Sequence, residues 1–165
     1  MFKRLKLSKK IKLIVSDFDG IFTDGGIYVD EDFKITKKIS FKDIMGVSQA
    51  LKNDFKVVII SGEKSKAIDY LANKFPLLET YQGERIKLHV LKSVLSKYNL
   101  TGEETIYIGD DVNDIGCLNH VSVPITVPNA NSKVKKLQKV QITSNLGGDG
   151  AFREVVDKLL SINNL

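Results

Sequence analysis

The sequence predicts an α/β protein built on a parallel β-sheet with helices on both faces. Three observations predict it. Apolar, β-branched runs recur along the chain, segments with helical spacing separate them, and no repeat, low-complexity tract or Pro/Gly-rich linker interrupts the 165 residues. A chain of this length fits one domain, residues 1–165, with a core of ordinary size.

The elements follow in order. Ile11–Ser16 (IKLIVS) is a continuous apolar run, as expected of a strand buried on both faces. Thr23–Phe41 breaks the alternation and reads as a hairpin, with Ile27–Val29 as one arm, Asp30–Asp32 as the turn and Ile35–Phe41 as the other arm. It follows the first strand directly, so it should project from that strand's C-terminal end. Asp43–Asn53 reads as a helix, Val57–Ile60 as a strand and Lys64–Lys74 as a helix. A short strand is expected at Glu79–Gln82. Arg85–Tyr98 then sets Ile86, Val90 and Val94 beside Leu91, Leu95 and Tyr98 on one helical stripe. Thr105–Ile108 is a third buried strand, and Asp114–Asn119 a short helix in which Cys117 is a small packing residue. Val121–Val127 is a fourth strand, weakened by Pro124. Asn131–Lys139, Gln141–Thr143 and Ala151–Leu160 complete the chain as helix, short strand and helix. Together these define a three-layer, Rossmann-like sheet with a projecting hairpin.

Composition narrows the function. One cysteine allows no internal disulfide, in keeping with a reducing compartment. No apolar run approaches the ~20 residues of a membrane span. Met1–Lys12 is basic (Lys3, Arg4, Lys6, Lys9, Lys10, Lys12) and lacks the apolar centre of a secretion signal, so a cytoplasmic protein is expected. The net charge of +5 suits an anionic partner, but only Arg4, Arg85 and Arg153 among the cations are arginine, which argues against nucleic-acid reading. His89 and His120 lack metal-ligand spacing.

In open α/β sheets, sites form beyond the C-terminal strand ends. Three ends here carry chemistry: Asp17-Phe18-Asp19-Gly20, Ser61-Gly62, and Gly109-Asp110-Asp111-Val112-Asn113-Asp114. Lys87 is a further candidate, from the helix between the last two. The pattern suits phosphoryl transfer. A phosphate monoester dianion repels an anionic nucleophile, so a divalent cation must bridge them, and hard oxygen ligands suit Mg2+. Asp17, Asp110 and Asp114 can supply such ligands. Lys87 and Ser61 can hold the remaining phosphoryl oxygens. Asp19 can protonate the leaving alcohol and then deprotonate the attacking water, and a carboxylate can itself become the phosphorylated intermediate. Each piece alone has a plainer reading as a turn, a cap or a solvated lysine; their order along the chain points to a site.

These segments resemble the haloacid dehalogenase superfamily of phosphatases. The likeness rests on SDFDGIFTDGGIYV, FKDIMG, IISGEKSKAI, YQGERIK, IYIGDDVND and GGDGAFREVVDKLL. More narrowly, they resemble the branch without a separate cap domain that contains the phosphatases of 3-deoxy-D-manno-octulosonate 8-phosphate and of nine-carbon sugar-acid 9-phosphates. The resemblance implies Asp17 as nucleophile and magnesium ligand, and Asp19 as acid/base with its backbone carbonyl on the metal. It implies Ser61 and Lys87 on the phosphoryl group, Asp110 on the metal, and Asp111 and Asp114 as outer or alternative ligands. Thr23 and Gly62 fall in the substrate-binding segments. It also implies a homotetramer in which hairpins meet and a neighbouring subunit closes the site, with Gly147–Gly150 as a mobile tail loop.

Two departures bear on the substrate. Octulosonate phosphatases usually carry arginine after the Ser/Thr-Gly pair and a GGRG tail; this chain has Glu63 and Gly147-Gly148-Asp149-Gly150. By resemblance, relatives acting on nine-carbon acids carry glutamate at the position of Glu63 and lysine at that of Lys74. Glu63 would then accept hydrogen bonds from sugar hydroxyls, and Lys74 would pair with the substrate carboxylate from its own or an adjacent subunit. The plainer alternative is a helix-start glutamate and a solvated lysine. The expected activity is therefore a magnesium-dependent phosphatase of a 9-phosphorylated, sialic-acid-type nonulosonate, with the octulosonate 8-phosphate as alternative. A non-catalytic oligomerisation domain that kept the fold is the alternative of another class; the retained Asp17, Asp19, Ser61, Lys87 and Asp110 argue against it. A phosphoacceptor receiver domain would carry its aspartate on a middle strand, not the first. Asp43 is open between helix cap and substrate contact, and Arg153 between tail support and substrate contact.

Overall fold

The structure, a computed structural model, describes residues 5–165; Lys3 and Arg4 of the basic N-terminal segment lie outside the described residues. Eight strands and six α-helices follow in chain order: β1 (Leu13–Ser16), β2 (Tyr28–Val29), β3 (Ile35–Thr36), α1 (Phe41–Lys52), β4 (Lys56–Ser61), α2 (Lys66–Lys74), β5 (Glu79–Gln82), α3 (Lys87–Tyr98), β6 (Thr105–Ile108), α4 (Ile115–Leu118), β7 (Val123–Thr126), α5 (Ser132–Lys135), β8 (Gln141–Ile142) and α6 (Ala151–Asn163). Six strands form one sheet in the order β5-β4-β1-β6-β7-β8, and every pairing in it is parallel.

The alternation of side chains along each strand builds two cores. Ile14, Val57, Ile59, Ile106 and Ile108 face α1, α2 and α6 through Ile44, Val47, Leu71, Phe152 and Val155. Leu13, Val15, Val58, Ile60 and Tyr107 face α3 and α4 through Leu91, Val94 and Leu118. A strand apolar on both faces needs cover on both, which is why IKLIVS and VVII read as continuous runs.

β1 sits at the centre with β4 on one side and β6 on the other. The chain leaves β1 toward β4 and β5 and returns across it to β6, so the strand order reverses between β1 and β6. A crevice opens at such a reversal, beyond the carboxyl ends of the strands.

Some elements differ from expectation. The hairpin strands are only two residues each, and Phe41 belongs to α1. The turn is wider than Asp30–Asp32, because the Asp30 carboxylate accepts the N–H groups of both Asp32 and Lys34. The Asn131–Lys139 helix shortens to one turn, Ser132–Lys135. Four lysines crowd that segment, and Val134 is its only fully buried side chain, so no apolar stripe carries the helix further. Pro124 is accommodated inside β7, opposite Tyr107. Cys117 is buried in α4, as expected of a packing residue; burial pushes its thiol up to about 12.

Candidate active site

Two strand ends and one helix start deliver charged groups to the crevice. Asp17 follows β1, Asp110 follows β6 after Gly109, and Lys87 opens α3. Asp17 and Lys87 are buried, and Lys87 Nζ stands 2.7 Å from Asp17 and 2.8 Å from Asp114. Carboxylate oxygens of Asp17, Asp110 and Asp114 all lie within 4.8 Å of one another.

Close approach here depends on glycines. Gly20 has φ +79, and a Cβ there would collide with the Asp110 carboxylate. A Cβ on Gly109 would collide with Asp114. The glycine of DxDG is thus needed for the two loops to meet, and the first residue of GDD for the second loop to fold back on its own Asp114.

Asp114 is the most heavily engaged carboxylate. Its Oδ1 accepts from Lys87 Nζ and from the Tyr107 hydroxyl, at 2.8 and 2.7 Å. Its Oδ2 accepts the N–H groups of Asp110 and Asp111. With both oxygens so occupied, Asp114 orients the lysine and the 109–111 loop. Asp111 turns sideways and caps the next turn, accepting from Val112 N–H and Asn131 Nδ2.

Electrostatics define what the cluster lacks. Burial raises the Asp17 carboxyl well above its usual range, and the neighbouring Asp114 charge adds to this, while Lys87 opposes it. Asp110 is pushed up to about 7 by burial, then by Asp114 and Asp111. Burial disfavours the Lys87 charge, yet Asp114 and Asp17 outweigh that and hold the ammonium above its ordinary value. Three carboxylates face one ammonium, which leaves two negative charges uncompensated. A divalent cation matches both that deficit and the hard oxygen donors. Asp17 and Asp110 have the spare acceptor capacity to hold it: Asp17 meets one partner on each oxygen, Phe18 N–H and Lys87, whereas Asp114 meets two on each.

The open part of the site is a cleft of about 280 Å3 lined by Asp17, Asp19, Gly62, Glu63, Lys87 and Asp110, among others. Asp19 points toward the hairpin, where Lys37 Nζ meets both its oxygens at 2.8 and 2.7 Å. The Thr23 hydroxyl is buried behind it. It accepts the N–H groups of Gly20 and Gly25 and lies 3.4 Å from Asp19, so it braces the loop and is not part of the cleft wall.

Ser61, Gly62, Glu63 and Lys74 divide between the cleft and the rest of the fold. Gly62 and Glu63 line the cleft. The Ser61 hydroxyl is turned into its own loop, donating to Glu63 C=O at 2.9 Å and accepting Glu63 N–H at 3.2 Å. Lys74 ends α2, which runs away from the strand ends, and its ammonium sits over the rings of Tyr70 and Phe75. It is not brought to the cleft of its own chain.

The two open readings resolve structurally. Asp43 is fully buried in the first turn of α1 and accepts the N–H groups of Gly150 and Arg153, so it caps α6, not its own helix. Arg153 pairs with Asp157 one turn along α6. Gly147–Gly150 is packed against the 20–24 loop, with Gly148 N–H donating to Ile21 C=O at 2.8 Å.

Sequence reasoning missed Lys37, Tyr107 and Asn113. Tyr107 sits mid-strand, where an apolar reading suffices. Lys37 is one of many lysines, and only the fold of the hairpin brings it to Asp19. Asn113 lines the cleft from within the quoted GDDVND run.

Fold and site together define a phosphatase of the haloacid dehalogenase class. The family model described as haloacid dehalogenase-like hydrolase matches residues 63–154, and the chain belongs to that family. Among characterised relatives, the 3-deoxy-D-manno-octulosonate 8-phosphate phosphatase of Escherichia coli K12 is 31% identical over 153 residues, covering 93% of this chain and 81% of that one. Its Yersinia pestis counterpart is 30% identical over 157 residues, with 94% and 83% covered. Among solved structures, the same phosphatase from Moraxella catarrhalis, in complex with magnesium, phosphate and KDO, superposes with a TM-score of 0.89 at 31% identity, covering 94% and 89%. The cobalt-bound enzyme of Haemophilus influenzae gives 0.87 at 27% identity, covering 94% and 91%. These structural relatives share the sheet without a separate cap domain.

Proposed function

We propose that the protein is a magnesium-dependent phosphomonoesterase that acts through phosphorylated Asp17 on a phosphorylated 3-deoxy sugar acid. The observation that carries it is the cluster of buried Asp17, Lys87 and Asp114 with half-buried Asp110, short of two positive charges, at the reversal of the sheet. Magnesium would be held by Asp17, Asp110 and the Asp19 backbone carbonyl, and when bound it supplies the charge that lets a dianion approach a carboxylate. Asp17 attacks phosphorus while Asp19 gives a proton to the leaving oxygen. Water then attacks the aspartyl phosphate, and Asp19 takes its proton. Lys87, locked between Asp17 and Asp114, faces a transferring phosphoryl oxygen. Ser61 joins it after its hydroxyl rotates away from Glu63. The enzyme works as a homotetramer in the cytoplasm.

The substrate reading favoured by the relatives is 3-deoxy-D-manno-octulosonate 8-phosphate, the compound their names carry. A second reading, a 9-phosphorylated nonulosonate, is favoured by Glu63. Glu63 lines the cleft where an arginine is expected for the octulosonate, and its carboxylate would accept hydrogen bonds from the additional sugar hydroxyls of the longer chain. Within one chain Lys74 gives this second reading no support; it would have to arrive from a neighbour. Phosphate release from both sugar acids with magnesium, against an Asp17→Asn blank, tests the reading. Release abolished in the blank supports the mechanism, and the preferred compound decides the substrate. Release from neither, with folding intact, returns the non-catalytic alternative.

A further inference from the structure

Lys37 is nine-tenths buried, with its ammonium against both oxygens of Asp19 and 5.9 Å from the centre of the Phe18 ring. It lies just past β3, on the return arm of the hairpin. No other charged side chain of the described residues is paired with Asp19. Burying a lysine is costly unless its charge is met, and this one is met only by the residue two positions beyond the nucleophile. Two oxygens gripped by one ammonium, with the Thr23 hydroxyl 3.4 Å from one of them, fix the carboxylate in position and orientation.

We propose that Lys37 is a positioning residue for Asp19, and that it makes the placement of the acid/base group depend on the hairpin. This rests on the phosphatase reading above. The contact holds the carboxylate at the cleft wall in the arrangement that receives a proton from the attacking water. For the first step one oxygen turns from Nζ and takes a proton from solvent while the other stays on the ammonium, and the protonated oxygen then passes that proton to the leaving alkoxide.

The test compares kcat/KM, with magnesium, for an alkyl phosphate and for p-nitrophenyl phosphate. That parameter covers the steps up to aspartyl-phosphate formation, and the aryl ester has a leaving group that needs no proton. Lys37→Met should lose about 10- to 100-fold on the alkyl ester, part of the 10²–10⁴ that a positioned acid supplies, and less than about threefold on the aryl ester. Lys37→Arg should recover most of the loss. If Lys37→Met melts without cooperativity, Lys37→Gln carries the same comparison. Equal losses on both esters make Lys37 merely structural and overturn the proposal, as does an active wild type with an unchanged variant. A folded wild type that releases phosphate from neither ester nor from the sugar-acid phosphates overturns the phosphatase reading, and this proposal with it.

Discussion

Lys87 and Asp110 tie the stability of the cluster to the chemistry proposed for it. Removing the ammonium in Lys87→Met leaves Asp17 and Asp114 buried without their cation, and losing one partner of a buried pair costs about 3–5 kcal/mol. Urea unfolding should show that loss, together with a fall in phosphatase turnover of roughly 10³-fold or more, as expected for a site acting as a unit. Asp110 makes a second prediction. Its folded value of about 7 lies above the ordinary carboxylate value of 3.8, so between about pH 4 and 7 the metal-free folded chain binds more protons than the unfolded one. This group's contribution is fully present at low pH and declines as pH rises through 7. A divalent cation needs the carboxylate free, so magnesium should raise the melting temperature more at pH 8 than at pH 5.5. Calorimetry at the two pH values checks this, and Asp110→Asn should flatten the difference.

Among the elements, α6 is held by a residue that does not belong to it. Asp43 in α1 accepts Gly150 and Arg153 N–H groups, and burial raises its carboxyl even as those bonds oppose the shift. Asp43→Ala would leave buried donors unmet and should destabilise the fold by about 1–3 kcal/mol in denaturant titration. The sequence showed an aspartate near a helix start and left it open between N-cap and substrate contact; its partner lies 107 residues away and no local pattern marks it. The same limit explains the helix at 131–139. The lysine spacing there is compatible with a helix, but only packing decides where it stops. The central strands, in contrast, were legible because double-sided burial demands unbroken apolar runs. DxDG and GDD were legible because each pairs its acids with a glycine that makes room for a carboxylate, Gly20 for Asp110 and Gly109 for Asp114. Lys37 and Tyr107 were not, since a lysine or tyrosine carries no sign of a partner on another element.

Across the whole molecule, the catalytic crevice and the hairpin share one loop. The hairpin exposes Tyr28, Val29, Phe33 and Ile35, with Phe33 85% and Tyr28 68% accessible. Side chains of this size clustered on a two-stranded arm mark a surface meant to be covered, and a hairpin this short is weakly stable alone. The proposed tetramer covers it with hairpins of other copies. That packing would also steady Lys37 just past β3, and through it Asp19. Tyr28→Asp combined with Ile35→Asp should therefore do two things at once. Sedimentation equilibrium should show the mass falling from four chains toward one. The alkyl-ester kcat/KM should fall with it, while binding of magnesium, which Asp17 and Asp110 at the sheet's own strand ends would hold, changes little. A variant that stays tetrameric would remove the hairpin from the assembly. One that dissociates with full activity would uncouple Asp19 from the hairpin's neighbours and leave Lys37 to hold it within a single chain.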